Sequence, residues 1–435
     1  MLAIGRFING FAVGICSAQV PVYISEIAPP SLRGRLISLQ QWAITWGILI
    51  MYFICFGCAY IKGSGAFRIP WALQMLPAMG LFGGLLREPE SPRWLFGKGR
   101  EAEAESVLAL LHGDGDANSE FVQRELLQIR AAVQEEHKHA DARWSELFAP
   151  NMLNRTSIGV FTQVWSQLTG MNVMMYYITY VFTMAGLSES GTNAVLIPSS
   201  VSFVINVIMT VPALLWLDRW GRRLPLLIGS ALMCLFLVIN AIMFGVYSRT
   251  PYPGEFPSAS ESMAVSDAPA WVIIVSTCLF VASYAPTWGP VSWAYPPELF
   301  PLRLRGKAVA LATAANWTFN FALAYFVPPA FENITWKTYV IFAVFCAAMN
   351  LHVFFLFPET ANKSLEEVAQ MFDDKQPGGE FVSTYPLPRF CSKEFLTNLH
   401  LQRSNTSAHR HGRPGTPWRP SCSRRTKLPP RKIRS

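Results

Sequence analysis

Charge is what this chain lacks. Only 15% of its 435 residues are Asp, Glu, Lys or Arg, where a soluble domain carries about a quarter. Stretches with none of the four run over 7–25, 36–61, 69–86, 156–188, 190–217, 224–248, 268–297, 308–331 and 338–358. Each offers the ~20 apolar residues that a helix needs to cross the hydrocarbon core. Lipid gives the backbone no hydrogen-bonding partner, so such segments must be helical. The expected fold class is an all-α membrane protein with about nine transmembrane helices.

Catalytic and metal signatures are scarce as well. There is no Gly-rich phosphate loop and no nucleophile–base–acid set, so an enzyme is not expected. The eight cysteines do not form a disulfide framework. Cys16, Cys55, Cys58, Cys234, Cys278 and Cys346 fall within apolar runs, and Cys391 and Cys422 near the C-terminus. Cys55-Phe-Gly-Cys58 has the spacing of a redox or zinc pair, but no acid or histidine accompanies it. It reads as packing. The pairs His137/His139 and His409/His411 are equally weak, so neither metal nor cofactor is expected.

With no Asp, Glu, Lys or Arg, the apolar runs also lack the charged groups that inside a membrane usually mark ion or charged-substrate paths. What they hold is neutral: Gln41, Gln163, Gln167, Asn172, Asn206 and Asn316, with the aromatics Tyr176, Trp288, Trp293 and Trp317. Amides both donate and accept, which suits hydroxyls, and indole faces suit the C–H face of a sugar ring. A few placed polar groups in an apolar, aromatic wall is the ordinary form of a small-molecule pocket. Any one amide alone is as readily an interhelical hydrogen bond.

Two distant stretches share one pattern, Glu26-Ile-Ala-Pro-Pro-Ser-Leu-Arg33-Gly34 and Glu298-Leu-Phe-Pro-Leu-Arg-Leu-Arg305-Gly306. Each follows one apolar run and precedes another. A second pair, Pro89-Glu-Ser91 and Pro358-Glu-Thr360, closes the last run of each half. Duplicated halves that rock against each other make a transporter. The chain divides into a partial N-terminal bundle (1–86), a helical connector (87–155), a C-terminal six-helix bundle (156–358) and a tail (359–435). In the connector, Ser91 and Pro92 suit a helix start, and amphipathic helices are expected near 99–112 and 119–138.

Basic residues gather at alternate loops: Arg33 and Arg35, 87–155, Arg219 to Arg223, Arg303 to Lys307, and the tail. The positive-inside bias makes that side, and the C-terminus, cytoplasmic. Met1 then falls outside with no leader before it, which argues for helices upstream of this start. The formal charge of +8 does not imply a nucleic-acid partner. Its excess lies largely in 376–435, whose Pro, Arg and Ser bias reads as disorder, with a polybasic contact to anionic lipid as the functional alternative.

Together these residues give a resemblance covering roughly 1–375. The motifs are Gly5-Arg6, Pro21-x-Tyr23-x-x-Glu26…Arg33-Gly34, and Pro89-Glu-Ser-Pro-Arg-Trp-Leu95. Further on come Gln167-Leu-Thr-Gly-Met-Asn172…Tyr176-Tyr177, Asp218-Arg219-Trp-Gly-Arg222-Arg223, Gly289-Pro290…Trp293…Glu298…Arg305-Gly306 and Pro358-Glu-Thr360. In this order they resemble the sugar porters of the major facilitator superfamily, most of all the fungal high-affinity glucose and hexose transporters.

The resemblance implies a major facilitator fold lacking its first three helices, in the plasma membrane, moving a monosaccharide such as glucose by alternating access. It places substrate contacts at Gln41, Gln167, Asn172, Asn206, Trp293 and Asn316. A cytoplasmic gate would use Glu26, Arg33, Asp218, Arg219, Arg222, Arg223, Glu298 and Arg305. Protons are the implied coupling ion, with Arg6 standing where the family's proton-carrying acid finds its partner. That acid belongs to a helix not in this sequence, so coupled uptake by the chain unaided is not expected. The family usually has two glutamines where Ser166-Gln167 stands here. Two alternatives share the fold: a non-transporting nutrient sensor, and a transporter of glycerol, a disaccharide or quinate.

Overall fold

The computed structural model describes residues 2–372, apart from Pro30, Asp114, 138–142, 186–191, 251–262, 266, 362, 364, 366 and 369–371. These lie within one unit, 1–382. The disorder expected after 376, Cys391, Cys422, His139, His409 and His411 fall outside the described residues. The six described cysteines are free.

The chain opens with α1 (Leu2–Ile27) and α2 (Arg33–Cys58), followed by the shorter α3 (Gly65–Leu73) and α4 (Met75–Leu85). The connector holds α5 (Pro92–Gly97), α6 (Glu101–His112), α7 (Glu120–His137) and a 3-10 turn, Trp144–Phe148. The second bundle is α8 (Pro150–Leu168), α9 (Met171–Tyr176), α10 (Ile178–Met184), α11 (Thr192–Trp220), α12 (Arg223–Tyr247), α13 (Asp267–Tyr284), α14 (Trp288–Leu299), α15 (Leu302–Asn333) and α16 (Lys337–Leu356). Among the described residues the only β pairing is an isolated bridge between Arg249 and Ala264.

Among the described residues, six segments are long and apolar enough to cross a membrane: Ala3–Ile27, Arg33–Cys58, Val195–Trp220, Arg223–Tyr247, Ala268–Leu299 and Lys337–Leu356. Their outward faces carry bare apolar side chains such as Phe7, Phe11, Leu235, Val246 and Phe355, as surfaces wetted by lipid do. The other three expected spans are helical but not of this kind. The run 69–86 is divided between α3 and α4, and 308–331 lies in α15, which carries amides in mid-helix.

The run 156–188 is broken twice rather than continuous. Gly170 takes a left-handed φ of 82°, and a Cβ there would stand 3.1 Å from the Phe342 ring. Only glycine meets both demands without strain. The break ends α8 and restarts the chain as α9, so Asn172 leaves the line of the α8 axis.

The core lies in the second bundle, where Phe182, Phe244, Phe280, Tyr339 and Phe342 are buried together. Trp288 belongs to it. Considered from sequence as a possible sugar-stacking face, it is fully buried and donates its indole N–H to the Leu226 carbonyl at 3.0 Å. The connector has its own small core of Leu95, Phe96, Leu108, Val122, Leu126 and Ile129. There Ser91 caps α5 by accepting from the Trp94 N–H, with Pro92 at the first turn, and both amphipathic helices form where their periodicity places them.

Candidate functional site

Two polar constructions stand out in this apolar body. The first is a network of buried ions where the loops of both halves meet. Arg222 is 1% exposed and donates two bonds to Glu298, at 2.7 and 3.2 Å, and one to Asp218 at 3.3 Å. Burial pulls its guanidinium pKa down, but Glu298, Asp218 and Glu359 more than offset this and hold it above the ordinary arginine value. Asp218 also accepts from the Gly34 and Arg35 backbone N–H groups at 2.9 and 3.0 Å, capping α2. A Cβ on Gly34 would fall 2.3 Å from the Asp218 carboxylate, so that approach requires glycine. Across the halves, Arg305 donates to Glu26 at 3.3 Å.

The repeat seen in sequence returns here atom for atom. Arg33 Nε donates to the carbonyl of Ser25, the residue before Glu26, at 3.2 Å; Arg305 Nε donates to that of Pro297, the residue before Glu298, at 3.1 Å. Ser91 Oγ donates to Glu26 and Thr360 Oγ1 to Glu298, each at 2.6 Å. Tyr23 and Tyr295 donate their hydroxyls to the Pro89 and Pro358 carbonyls, at 2.8 and 2.6 Å.

Of the eight expected gate residues, Glu26, Arg33, Asp218, Arg222, Glu298 and Arg305 come together. Arg219 is exposed and lies apart, and Arg223 turns to the Phe354 carbonyl and ring instead. Glu359 was missed. Its carboxylate accepts from the backbone N–H groups of Arg222, Arg223, Thr360 and Ala361, all at 2.8–3.0 Å. The signal for it was present in the repeated Pro-Glu-Ser/Thr that closes the last run of each half, where the acid itself was given no role.

The second construction is a cavity of ≈ 650 Å³ between the first two helices and the second bundle. Gln41, Gln167, Asn172, Asn206, Trp293 and Asn316, the six expected substrate contacts, all line it, and among the described residues no Asp, Glu, Lys or Arg does. Its size falls within the about 300–1,000 Å³ of small-molecule sites. Trp317, on the cavity wall, donates its indole N–H to Ser17 Oγ at 3.0 Å, and Ser166 shares a hydrogen bond of 3.1 Å with the Tyr284 hydroxyl.

Gln163 does not line the cavity but stands behind it, donating to the Ser292 carbonyl at 2.9 Å. Asn320, also missed from sequence, lines the wall and donates to Gln167 at 3.1 Å. Its position four residues after Asn316 was the available signal. Arg6 lies on the exposed side of α1, its guanidinium 4.5 Å above the Trp71 ring.

Comparison with known proteins gives the family. A glucose transporter of the major facilitator superfamily from Aspergillus flavus is 45% identical over 388 residues, 87% of this chain and 72% of that protein. A high-affinity glucose transporter from Kluyveromyces lactis is 43% identical over 396 residues, 89% of this chain and 70% of the relative. Among solved structures, the proton:xylose symporter XylE bound to 6-bromo-6-deoxy-D-glucose aligns with a TM-score of 0.71 at 28% identity. That alignment covers 85% of this chain and 73% of the symporter. The score falls to 0.57 for the inward open conformation of the same transporter from E. coli, 27% identical, with 85% and 72% covered. The sugar (and other) transporter family model matches residues 1–372. The chain thus belongs to that family, the sugar porters of the major facilitator superfamily.

Proposed function

We propose that this protein carries a hexose such as glucose across the membrane by alternating access, with the sugar in the amide-lined cavity. The observation that carries the reading is the convergence of all six neutral contacts, drawn from α2, α8, α9, α11, α14 and α15, on one uncharged cavity. Hydroxyls find donors and acceptors there, Trp293 offers an indole face, and a charged solute finds no counter-ion. The names of the fungal relatives support glucose as the cargo.

In this reading, α3 with α4, α8 to α10, and α15 cross the membrane beside the six long apolar segments. The connector and C-terminus face the cytoplasm of a plasma-membrane protein. The ion network then acts as the inner gate. Its Glu26–Arg305 and Asp218–α2 contacts tie one bundle to the other, and they must part for the cavity to open inward. The poorer match to an inward open relative supports a closed inner side.

Labelled glucose uptake in transporter-null cells tests the function. Gln167→Ala and Asn172→Ala should each reduce uptake at low sugar about tenfold or more, chiefly through KM, since each removes polar contacts to a bound hydroxyl. Glucose-dependent alkalinisation of the medium would mark proton coupling. Wild-type uptake in both variants would sink the cavity assignment.

A further inference from the structure

The O and N atoms of an amide are easily exchanged in assignment, yet here the hydrogen bonds leave no choice. The Ser292 carbonyl can only accept, so Gln163 must present Nε2 to it, at 2.9 Å. That turns Gln163 Oε1 to Asn316, whose Nδ2 donates to it at 2.7 Å. The same Nδ2 lies 3.5 Å from the Gln163 backbone carbonyl, a second group that only accepts. Asn316 Oδ1 therefore accepts from Gln167 Nε2, at 3.1 Å. Gln167 Oε1 is left for Asn172 and Asn320, and both donate to it from Nδ2. The side chains lie on α8, α9 and α15, and every link in the row dictates the sense of the next.

Asn172 and Asn320 end the row at the cavity wall. Each uses its nitrogen on the same atom of Gln167, so they are neighbours, and none of these bonds engages their carboxamide oxygens. Gln41 and Asn206 differ. Among the described residues their side-chain amides make no hydrogen bond to protein, so each can turn to serve as donor or acceptor.

We propose that the amide row polarises the cavity. Asn172 and Asn320 meet the ligand as fixed hydrogen-bond acceptors and select a sugar by two hydroxyls on neighbouring carbons, each acting as a donor. Asn320 is thereby a specificity-determining residue. Gln163 is a positioning residue that sets the sense of the row without touching the ligand. The inference rests on the hexose reading given above.

Binding of glucose and of its monodeoxy and monofluoro analogues to the purified full chain, followed by tryptophan fluorescence, tests it. Fluorine can accept weakly but cannot donate. At two neighbouring carbons both replacements should weaken binding about tenfold, the worth of one good hydrogen bond, while fluorine is better tolerated elsewhere. Asn320→Ala should erase the penalty at one of those carbons alone, and Asn320→Gln, which keeps both the donor to Gln167 and the acceptor, should restore it. Gln163→Met should shrink the penalties at both carbons while glucose still binds, since only the 3.5 Å contact to its backbone carbonyl is left to orient Asn316. If that variant does not fold, the two Asn320 variants decide.

Fluorine tolerated at every carbon, or Asn320→Ala weakening all ligands equally, would overturn the proposal. Wild-type protein that binds glucose but shows neither pattern condemns the amide row alone. Protein that binds no hexose condemns the transport reading and this inference together.

Discussion

Arg222 holds two buried carboxylates from different helices, Asp218 on α11 and Glu298 on α14. Removing one partner from such a set leaves charge buried without its counter-ion, at a cost of about 3–5 kcal/mol. Arg222→Gln should therefore lower thermal stability in detergent by that order, and a melting curve matching wild type would contradict the burial argument. The residue types of this cluster were legible because acids and arginines are rare here and recur in matched loops. Their pairing was not. Equal loops give no reason to expect Glu26 to meet the arginine of the other half, or Glu298 to meet Arg222. The six cavity contacts were legible through the family resemblance; the residues alone offered five of them as neutral amides, with Gln163 among the candidates, and each amide read as readily as an interhelical hydrogen bond. Asn320 escaped notice because, although it follows Asn316 by one turn, a single amide reads equally well as a packing hydrogen bond.

At the scale of elements, the 3-10 turn Trp144–Phe148 is pinned to the start of α15. Glu146 accepts from the Arg143 backbone and from Arg303, and Lys307 stands 5.7 Å from the Trp144 ring. The backbone bond from Arg143 first, and then the Arg303 contact, hold the Glu146 pKa below the ordinary carboxylate value. A depressed carboxylate contributes stability above its unfolded pKa of about 4.3 and loses it as pH falls through the folded value. Amide exchange in 143–149, compared between wild type and Glu146→Gln, should differ at neutral pH and converge once the pH has fallen below the folded value. A difference persisting into acid would remove the carboxylate from the explanation. The connector helices were legible from their caps and periodicity. The breaks around α9 were not, since glycine is commonplace inside membrane helices and its left-handed φ leaves no mark in hydropathy.

For the whole molecule, duplication is the organising fact, and it was readable from two loops before any coordinate. The structure adds that each half fastens its own tyrosine, acid and arginine identically, while Arg305–Glu26 and Asp218–α2 join one half to the other. Arg305→Glu sets two carboxylates face to face at that junction. Loss of a hydrogen-bonded charge pair across an interface costs about 2–5 kcal/mol, so the balance should move toward an inward-open form and net uptake should fall. Distances between spin labels on α6 and on the α11–α12 loop should lengthen in the variant, and unchanged distances would refute a gating role. The number and limits of the helices were partly legible, because charge-free length reports where a chain can cross lipid but not where it bends.

Glu359 has a different kind of hold. Four main-chain N–H groups grip its carboxylate, and main-chain donors are supplied by almost any amino acid. Sequence drift at 222, 223, 360 and 361 can therefore alter every side chain around it and still leave the grip intact. For this one contact, sensitivity to substitution lies at position 359 itself, and at Gly221, where a methyl group would come within 2.4 Å of the acid.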